Sequence, residues 1–274
     1  MQQFDPYQRV LLTIEYDGSG FYGWQRQENY HSVQWEVEKA LSKCLKRETT
    51  IWGASRTDTG VSAVGQRAHF HNFSTIPPER FAFVLNTMLP PDVRIRASRE
   101  VPEGLHARFS CRGKIYTYRI FNNRHASAIR RNITTHIPVY INEDRMREAA
   151  QRLIGVHDFG AFQAAGGTAK STIREIHSID VTRTGDDITM VVRGNAFLYN
   201  MVRIMAGTLI AIGQGRLPAD CLNEALETQN RLVLGVTAPP SGLELTRIFY
   251  DLDGERAEDY EREVAAGYGR GVLF

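Results

Sequence analysis

An α+β fold of two similar halves, each an antiparallel sheet carrying helices over one central basic cleft, is the class this sequence predicts. Three observations lead there. Short alternating strands recur between turns marked by Gly and Pro. Two of them form a hairpin signature around Thr184-Gly185-Asp186. The succession of strand, helix and strand in the first part of the chain is repeated in the second. A length of 274 residues accommodates one large domain or two modest ones. We place the halves at 1–110 and 111–250, with a charged peripheral tail at 251–274.

Arg9 to Tyr16 reads as a strand with Val10, Leu12 and Ile14 on one face, followed by the turn Asp17-Gly18-Ser19-Gly20. Ser32 is placed as the N-cap of an amphipathic helix running to Leu45, because Val33, Val37, Leu41 and Leu45 recur at fours. Thr50–Ser55 and Gly65–Phe73 suit strands, which leaves Asp58 in the loop between them. Pro77-Pro78 opens a second helix that closes near Pro90-Pro91, and Asp92–Arg99 is a further strand. In the second half, Ile115–Phe121 alternates with Tyr116 and Tyr118 on one face. Asn142 caps a helix through Leu153, and Arg174–Arg183 pairs with Asp187–Gly194. An apolar helix from Tyr199 to Ile212 and a short one from Pro218 to Leu226 complete the pattern.

The apolar fraction of 42 % and charged fraction of 23 % are those of a globular protein, which excludes collagen-like and disordered classes. The start lacks a basic region followed by an apolar run, so no signal peptide is expected. The one long apolar run, Ala196–Ile212, carries Arg203 at its centre. An arginine at mid-bilayer costs about 2.5–3.5 kcal/mol or more, so a buried core helix is expected rather than a membrane span. Cys44, Cys111 and Cys221 are odd in number and widely spaced, which fits neither a disulfide framework nor a zinc site and suits a reducing cytoplasm.

Charge is unevenly placed. Of 33 basic residues only 5 are Lys, and the planar fork of arginine pairs with phosphate and stacks on bases. Arg94–Arg131 holds 10 basic residues against Glu100 and Glu103, a net +8, whereas Asp251–Glu263 is net −5. Such segregation fits a polyanionic partner with the acidic tail kept clear of it; ordinary solvated surface is the competing reading.

Several residues stand out. Asp58, in Ser55-Arg56-Thr57-Asp58-Thr59-Gly60-Val61, is by local sequence a turn former. Arg56 two positions earlier changes its prospects, because a guanidinium keeps a nearby carboxylate ionised. The Asp-Thr-Gly triplet occurs once, which argues against a two-carboxylate protease. Arg203 is the one charge between Ala196 and Ile212, and a buried guanidinium asks for an acid; Asp58 is a candidate, and a side chain snorkelling to water is the alternative. Tyr116 and Tyr118 follow Arg112 and Lys114, the mixture that base stacking beside phosphate requires, although alternate tyrosines also serve as core. His69 and His71 share a strand face, but no further ligand stands at metal spacing, so no metal is expected. Gly18-x-Gly20-x-x-Gly23 follows a strand without opening a helix, so no nucleotide cofactor is expected.

In combination, several stretches resemble the TruA-like tRNA pseudouridine synthases. They are Ile14-Glu15-Tyr16-Asp17-Gly18, Tyr22-Gly23-Trp24-Gln25-Arg26-Gln27, Arg56-Thr57-Asp58-Thr59-Gly60-Val61, His106-Ala107-Arg108-Phe109-Ser110, Tyr116-Thr117-Tyr118-Arg119 and Asn195–Arg203. They run in family order over residues 10–250. The resemblance implies the pseudouridine synthase fold and isomerisation of uridine in the anticodon stem-loop of tRNA, at tRNA positions 38–40. It implies Asp58 as the nucleophilic aspartate, Tyr116 packing on the target uracil, Arg56 assisting base flipping and Arg203 as the ion-pair partner of the aspartate. It further implies a homodimer with no cofactor or metal. The chain departs from the family pattern at Ser55, where Gly is usual, Thr59, where Ala is common, Ser62, where His is frequent, and Ile204, where a polar residue is often found; these bear on target range. The competing functions are a non-catalytic tRNA-binding or folding module and a related synthase with another RNA target.

Overall fold

The computed structural model describes residues 7–252, so the charged stretch beyond Asp251 lies almost wholly outside the described residues. The chain forms two compact units, 7–111 joined by 245–251 and 112–244. Each is α+β, a sheet with helices as expected, its strands pairing antiparallel except where Cys111–Phe121 pairs in parallel with Thr135–His136.

In the first unit β1 (Gln8–Tyr16) lies between two antiparallel neighbours, with Leu12 opposite both Ala68 and Ser98. Its predicted inner face is fully buried at Val10, Leu12 and Ile14. Helix α1 (Val33–Leu45) buries Val33, Val37 and Leu41. Ser32 precedes it as expected but makes no side-chain cap bond. The first amides of the helix are satisfied otherwise: Val33 N donates to Gly23 O at 3.3 Å and Gln34 N to Trp24 O at 3.0 Å. The chain before the helix thus does the work of a cap.

The strand expected over 50–55 is shorter: β2 is Trp52–Gly53 alone, paired with His69 and Ala68. Side chains take the flanking backbone donors. Ile51 N donates to the buried Glu38 carboxylate at 3.1 Å, and Ser55 N to Gln66 Oε1 at 3.3 Å. Strand β3 (Ser62–Asn72) follows, then a 3-10 turn over Pro78–Arg80 and α2 (Phe81–Asn86), which is shorter than the Pro-to-Pro span predicted. Phe81 meets Phe70 edge-on at 5.0 Å. Strand β4 (Val93–Val101) closes that side of β1.

In the second unit β5 (Cys111–Phe121) pairs in parallel with the two-residue β6 (Thr135–His136). Asn142 caps α3 (Glu143–Ala150) as predicted, its side chain accepting from Arg145 N at 3.0 Å, and a 3-10 turn carries on to Leu153. Strand β7 (Gly155–Asp158) has no alternating signal and was not anticipated; it edges β8 (Ile173–Thr184), which forms the expected hairpin with β9 (Asp187–Gly194). β9 in turn pairs with β5, Tyr116 facing Val192 and Tyr118 facing Met190. Helix α4 (Met201–Gly213) is buried along almost its whole length, and no helix among the described residues is long and apolar enough to cross a membrane. Gly207 lets it approach the 236–238 segment, where a Cβ would stand 1.8 Å from Val236 O. Helix α5 (Cys221–Thr228) follows. The last strand, β10 (Leu243–Tyr250), leaves the second unit and returns to the first, where Tyr250 Oη donates to Ala107 O at 2.6 Å.

Candidate active site

Asp58 is half-buried in the loop between β2 and β3, Arg56 is exposed, and Thr57 between them is buried. This alternation follows from how the loop is held. Tyr16, at the end of β1 and 3 % exposed, shares a hydrogen bond with Thr57 Oγ1 at 2.7 Å. On the other side of the loop Trp24 N donates to Thr57 O at 3.1 Å. With Thr57 turned inward and fixed at both its hydroxyl and its carbonyl, its two neighbours point elsewhere.

Gly23 makes that contact possible. Its φ is +81°, and a Cβ on it would sit 2.6 Å from Thr57 O and 3.1 Å from the carbonyl carbon of Asp58. The loop then closes on itself through Val61 N to Asp58 O at 3.1 Å and Gly60 N to Phe21 O at 3.3 Å. Its entrance is fixed by the fully buried Gln66, whose amide donates to Ser55 O at 2.7 Å while its carbonyl accepts from Ser55 N. The backbone that carries Asp58 is thus held from both sides before any ligand arrives.

A second layer supports the first. Trp24, 2 % exposed, packs 6.0 Å from the Tyr16 ring. Glu38 on α1 accepts from Arg26 Nη1 at 3.2 Å and Gln34 Nε2 at 2.9 Å, and Gln34 Oε1 accepts from Arg26 N at 3.0 Å. The stretch Gly23–Arg26 is therefore held between the Asp58 loop and α1. In the sequence, Tyr16, Gly23 and Trp24 stand in motifs without an assigned role; the signal they offer is their position on either side of the turn Asp17–Gly20.

Tyr116 and Arg203 lie in the second unit. Tyr116, on β5, is 6 % exposed and meets the edge of Phe197 at 5.1 Å and 81°. Tyr118 is fully buried, its hydroxyl bonded to Thr135 Oγ1 at 2.6 Å and Pro239 O at 2.9 Å. Burial pushes its phenol well above the usual range, opposed by the Thr135 hydrogen bond and by the charge of Arg203. Arg203 is half-buried in the first turn of α4, where Nε donates to Ala238 O at 2.8 Å and Nη1 to Asn200 Oδ1 at 2.7 Å. The motif Asn195–Arg203 thus brings Phe197 to Tyr116, while Arg203 anchors the 238–239 segment.

The basic stretch is partly committed to structure. Arg94 Nη1 donates to Pro90 O at 2.6 Å, Arg119 pairs with Glu244 at 2.8 Å, and Arg130 pairs with Asp187. Its net +8 therefore overstates the charge offered to a partner. The two strand histidines are likewise engaged: His69 Nδ1 accepts from Ala107 N at 3.2 Å, and His71 Nε2 lies 3.1 Å from Arg9 Nη2, which leaves that nitrogen the acceptor. No cluster of three or more metal-ligating side chains occurs among the described residues.

Comparison with known proteins is consistent in one direction. The sequence profile of a family described as tRNA pseudouridine synthase matches residues 12–110 and 149–251. A protein of Ruminiclostridium cellulolyticum called tRNA pseudouridine synthase A is 48 % identical over 243 residues, covering 88 % of this chain and 99 % of that protein. Another of the same name from Bacillus pumilus is 43 % identical over 245 residues, covering 89 % of this chain and 99 % of the relative.

Proposed function

This chain belongs to the tRNA pseudouridine synthase family, a family of isomerases, and from that premise we propose that it converts uridine to pseudouridine in the anticodon stem-loop of tRNA, at tRNA positions 38–40, with Asp58 as the catalytic carboxylate. The observation that carries the assignment is the double anchoring of Thr57, which presents the adjacent Asp58 from a rigid loop.

The target base lies in a stacked stem-loop and must be flipped out, at a cost of a few kcal/mol. Arg56, exposed two residues before Asp58, enters the space the base vacates. Tyr116 packs on the extruded uracil. The Asp58 carboxylate acts as nucleophile or base so that the N1–C1′ bond breaks. The uracil turns, C5 bonds to C1′ as any bond from Asp58 is released, and the proton lost from C5 is balanced by one gained at N1. Product and substrate are isomers, so neither an energy source nor a redox partner enters the balance. Arg203 is assigned the part of the cation that keeps Asp58 ionised, and a homodimer acting in the cytoplasm completes the reading.

The test is tritium release from C5-labelled uridine in tRNA. Wild-type protein releases label. Asp58→Ala releases none, yet binds tRNA with wild-type affinity. Release by the variant at the wild-type rate would remove Asp58 from the mechanism, and the absence of release by wild-type protein would make this a binding module.

A further inference from the structure

One face of the first unit carries a continuous line of rings that the proposed chemistry does not use. Phe109 meets His106 at 4.4 Å, His106 meets His69 at 4.8 Å, and His69 stacks on Trp52 at 5.1 Å and 21°. Trp52 meets His71 at 5.3 Å, and His71 meets Tyr7 at 4.2 Å. The register explains the alignment: Trp52 is opposite His69 across β2 and β3, and Arg9 is opposite His71 across β3 and β1. The other face of the same strands holds the buried Phe70 and Val10; on the ring-bearing face Leu11 and His69 are also buried, under Ala107, and the line reaches solvent at its Trp52 and Phe109 ends.

Two of these rings remain in solvent. Phe109 is 77 % exposed and Trp52 39 % exposed. Cations flank the line: the exposed Arg108 lies 5.8 Å from the Phe109 ring, and the half-buried Arg9 donates to His71 and to Leu105 O at 2.6 Å. The acid beside it, Glu103, accepts a hydrogen bond from Tyr7 Oη at 2.8 Å. Burial, with help from Arg9, keeps all three imidazoles below their ordinary pKa, so at neutral pH they are uncharged rings rather than cations. Their nitrogens are turned to Ala107, Arg9 and Arg108 in place of a metal.

We propose that this face is a stacking platform for unpaired nucleotides of the RNA outside the target uridine, with bases on Trp52 and Phe109 and phosphates toward the exposed Arg108. Alternating aromatic faces and guanidinium groups are the arrangement that holds single-stranded nucleic acid without reading its sequence. A protein partner is less well matched, because a ring line flanked by positive charge is complementary to a polyanion. The proposal rests on the reading that this chain acts on RNA. It adds a second place where the RNA is gripped, directly upstream of the Asp58 loop through Trp52.

The experiment measures fluorescence anisotropy of labelled oligoadenylate, an RNA with no uridine, titrated with full-length protein. Trp52→Ala and Phe109→Ala each weaken binding about tenfold, while Trp52→Phe, which keeps a ring, binds within about twofold of wild type. Phe109 is largely in solvent, so its variant folds even where Trp52→Ala does not. Wild-type affinity in Phe109→Ala and in folded Trp52→Ala would overturn the proposal. So would a shift from dimer to monomer in sedimentation with unchanged oligoadenylate affinity, which would make the face an interface between copies. Binding is read without any reaction. A wild-type protein that forms no pseudouridine therefore overturns the function proposed above and leaves this result standing.

Discussion

The Tyr16 hydroxyl and Thr57 Oγ1 stand 2.7 Å apart in a site from which water is almost excluded, Tyr16 being 3 % and Thr57 7 % exposed. Tyr16 ends the central strand of the first unit, and Thr57 is the residue before Asp58. The bond thus ties the residue before the proposed catalytic carboxylate to a strand paired on both sides.

Removing only that hydroxyl gives the first prediction. Tyr16→Phe keeps the ring against Trp24 and leaves Thr57 Oγ1 without this partner, a loss of about 1–2 kcal/mol. Pseudouridine formation falls about tenfold in kcat with KM for tRNA unchanged, because the loop is loosened and the RNA contacts are not. A single-turnover assay beside a tRNA titration checks this; equal changes in kcat and KM would show a role in binding instead.

Gly23→Ala is more severe. The left-handed φ of +81° costs an alanine about 1 kcal/mol or more, and its Cβ meets Thr57 O at 2.6 Å. The loop must move or the stretch Gly23–Arg26 must leave α1. Urea denaturation should show a loss of about 2–4 kcal/mol, and turnover of the folded fraction should fall at least as far as in Tyr16→Phe.

Stability should also depend on pH through His69. Burial is the largest cause of its depression to about 3 from 6.5, followed by His106, Arg9 and His71. The folded state therefore refuses a proton that the unfolded chain accepts between those values. Unfolding takes up protons, so stability declines as pH falls from about 6.5 toward about 3, by up to about 1.4 kcal/mol per pH unit from this group alone. His71 and His106 are depressed too and act in the same direction. Urea midpoints across this range should fall with pH in wild type, and His69→Gln should flatten the slope. An equal slope in the variant would assign the effect to other groups.

Local pattern carried most of the secondary structure. The fours of Val33, Val37 and Leu41, the alternation of Val10, Leu12 and Ile14, and the Gly185 turn are short-range signals, and each appears where it was read. Asn142 illustrates the same for caps, because its bond to Arg145 N spans three residues. Ser32 shows the limit: its position was legible, but Gly23 and Trp24 satisfy the helix instead, and nothing within a turn of Ser32 announces them. The two-residue β2 has the same explanation, since Glu38 and Gln66 take the donors of a strand that Thr50–Ser55 would otherwise extend.

By itself, then, the sequence determined all the described α-helices and most of the strands (not β6, β7 or β10), that the chain is α+β, and that Asp58 sits in a loop between β2 and β3 beside Arg56. Those properties follow from side-chain periodicity and turn chemistry within a few residues. Only the tertiary structure decided that Thr57 is buried by Tyr16 and Trp24, that residues 245–251 return to the first unit, and that Arg203 donates to Ala238 and Asn200. The bonds to Tyr16 and Ala238 and the return of the last strand join residues dozens to more than a hundred positions apart. Their strength depends on the water that packing removes, which no short window of sequence contains.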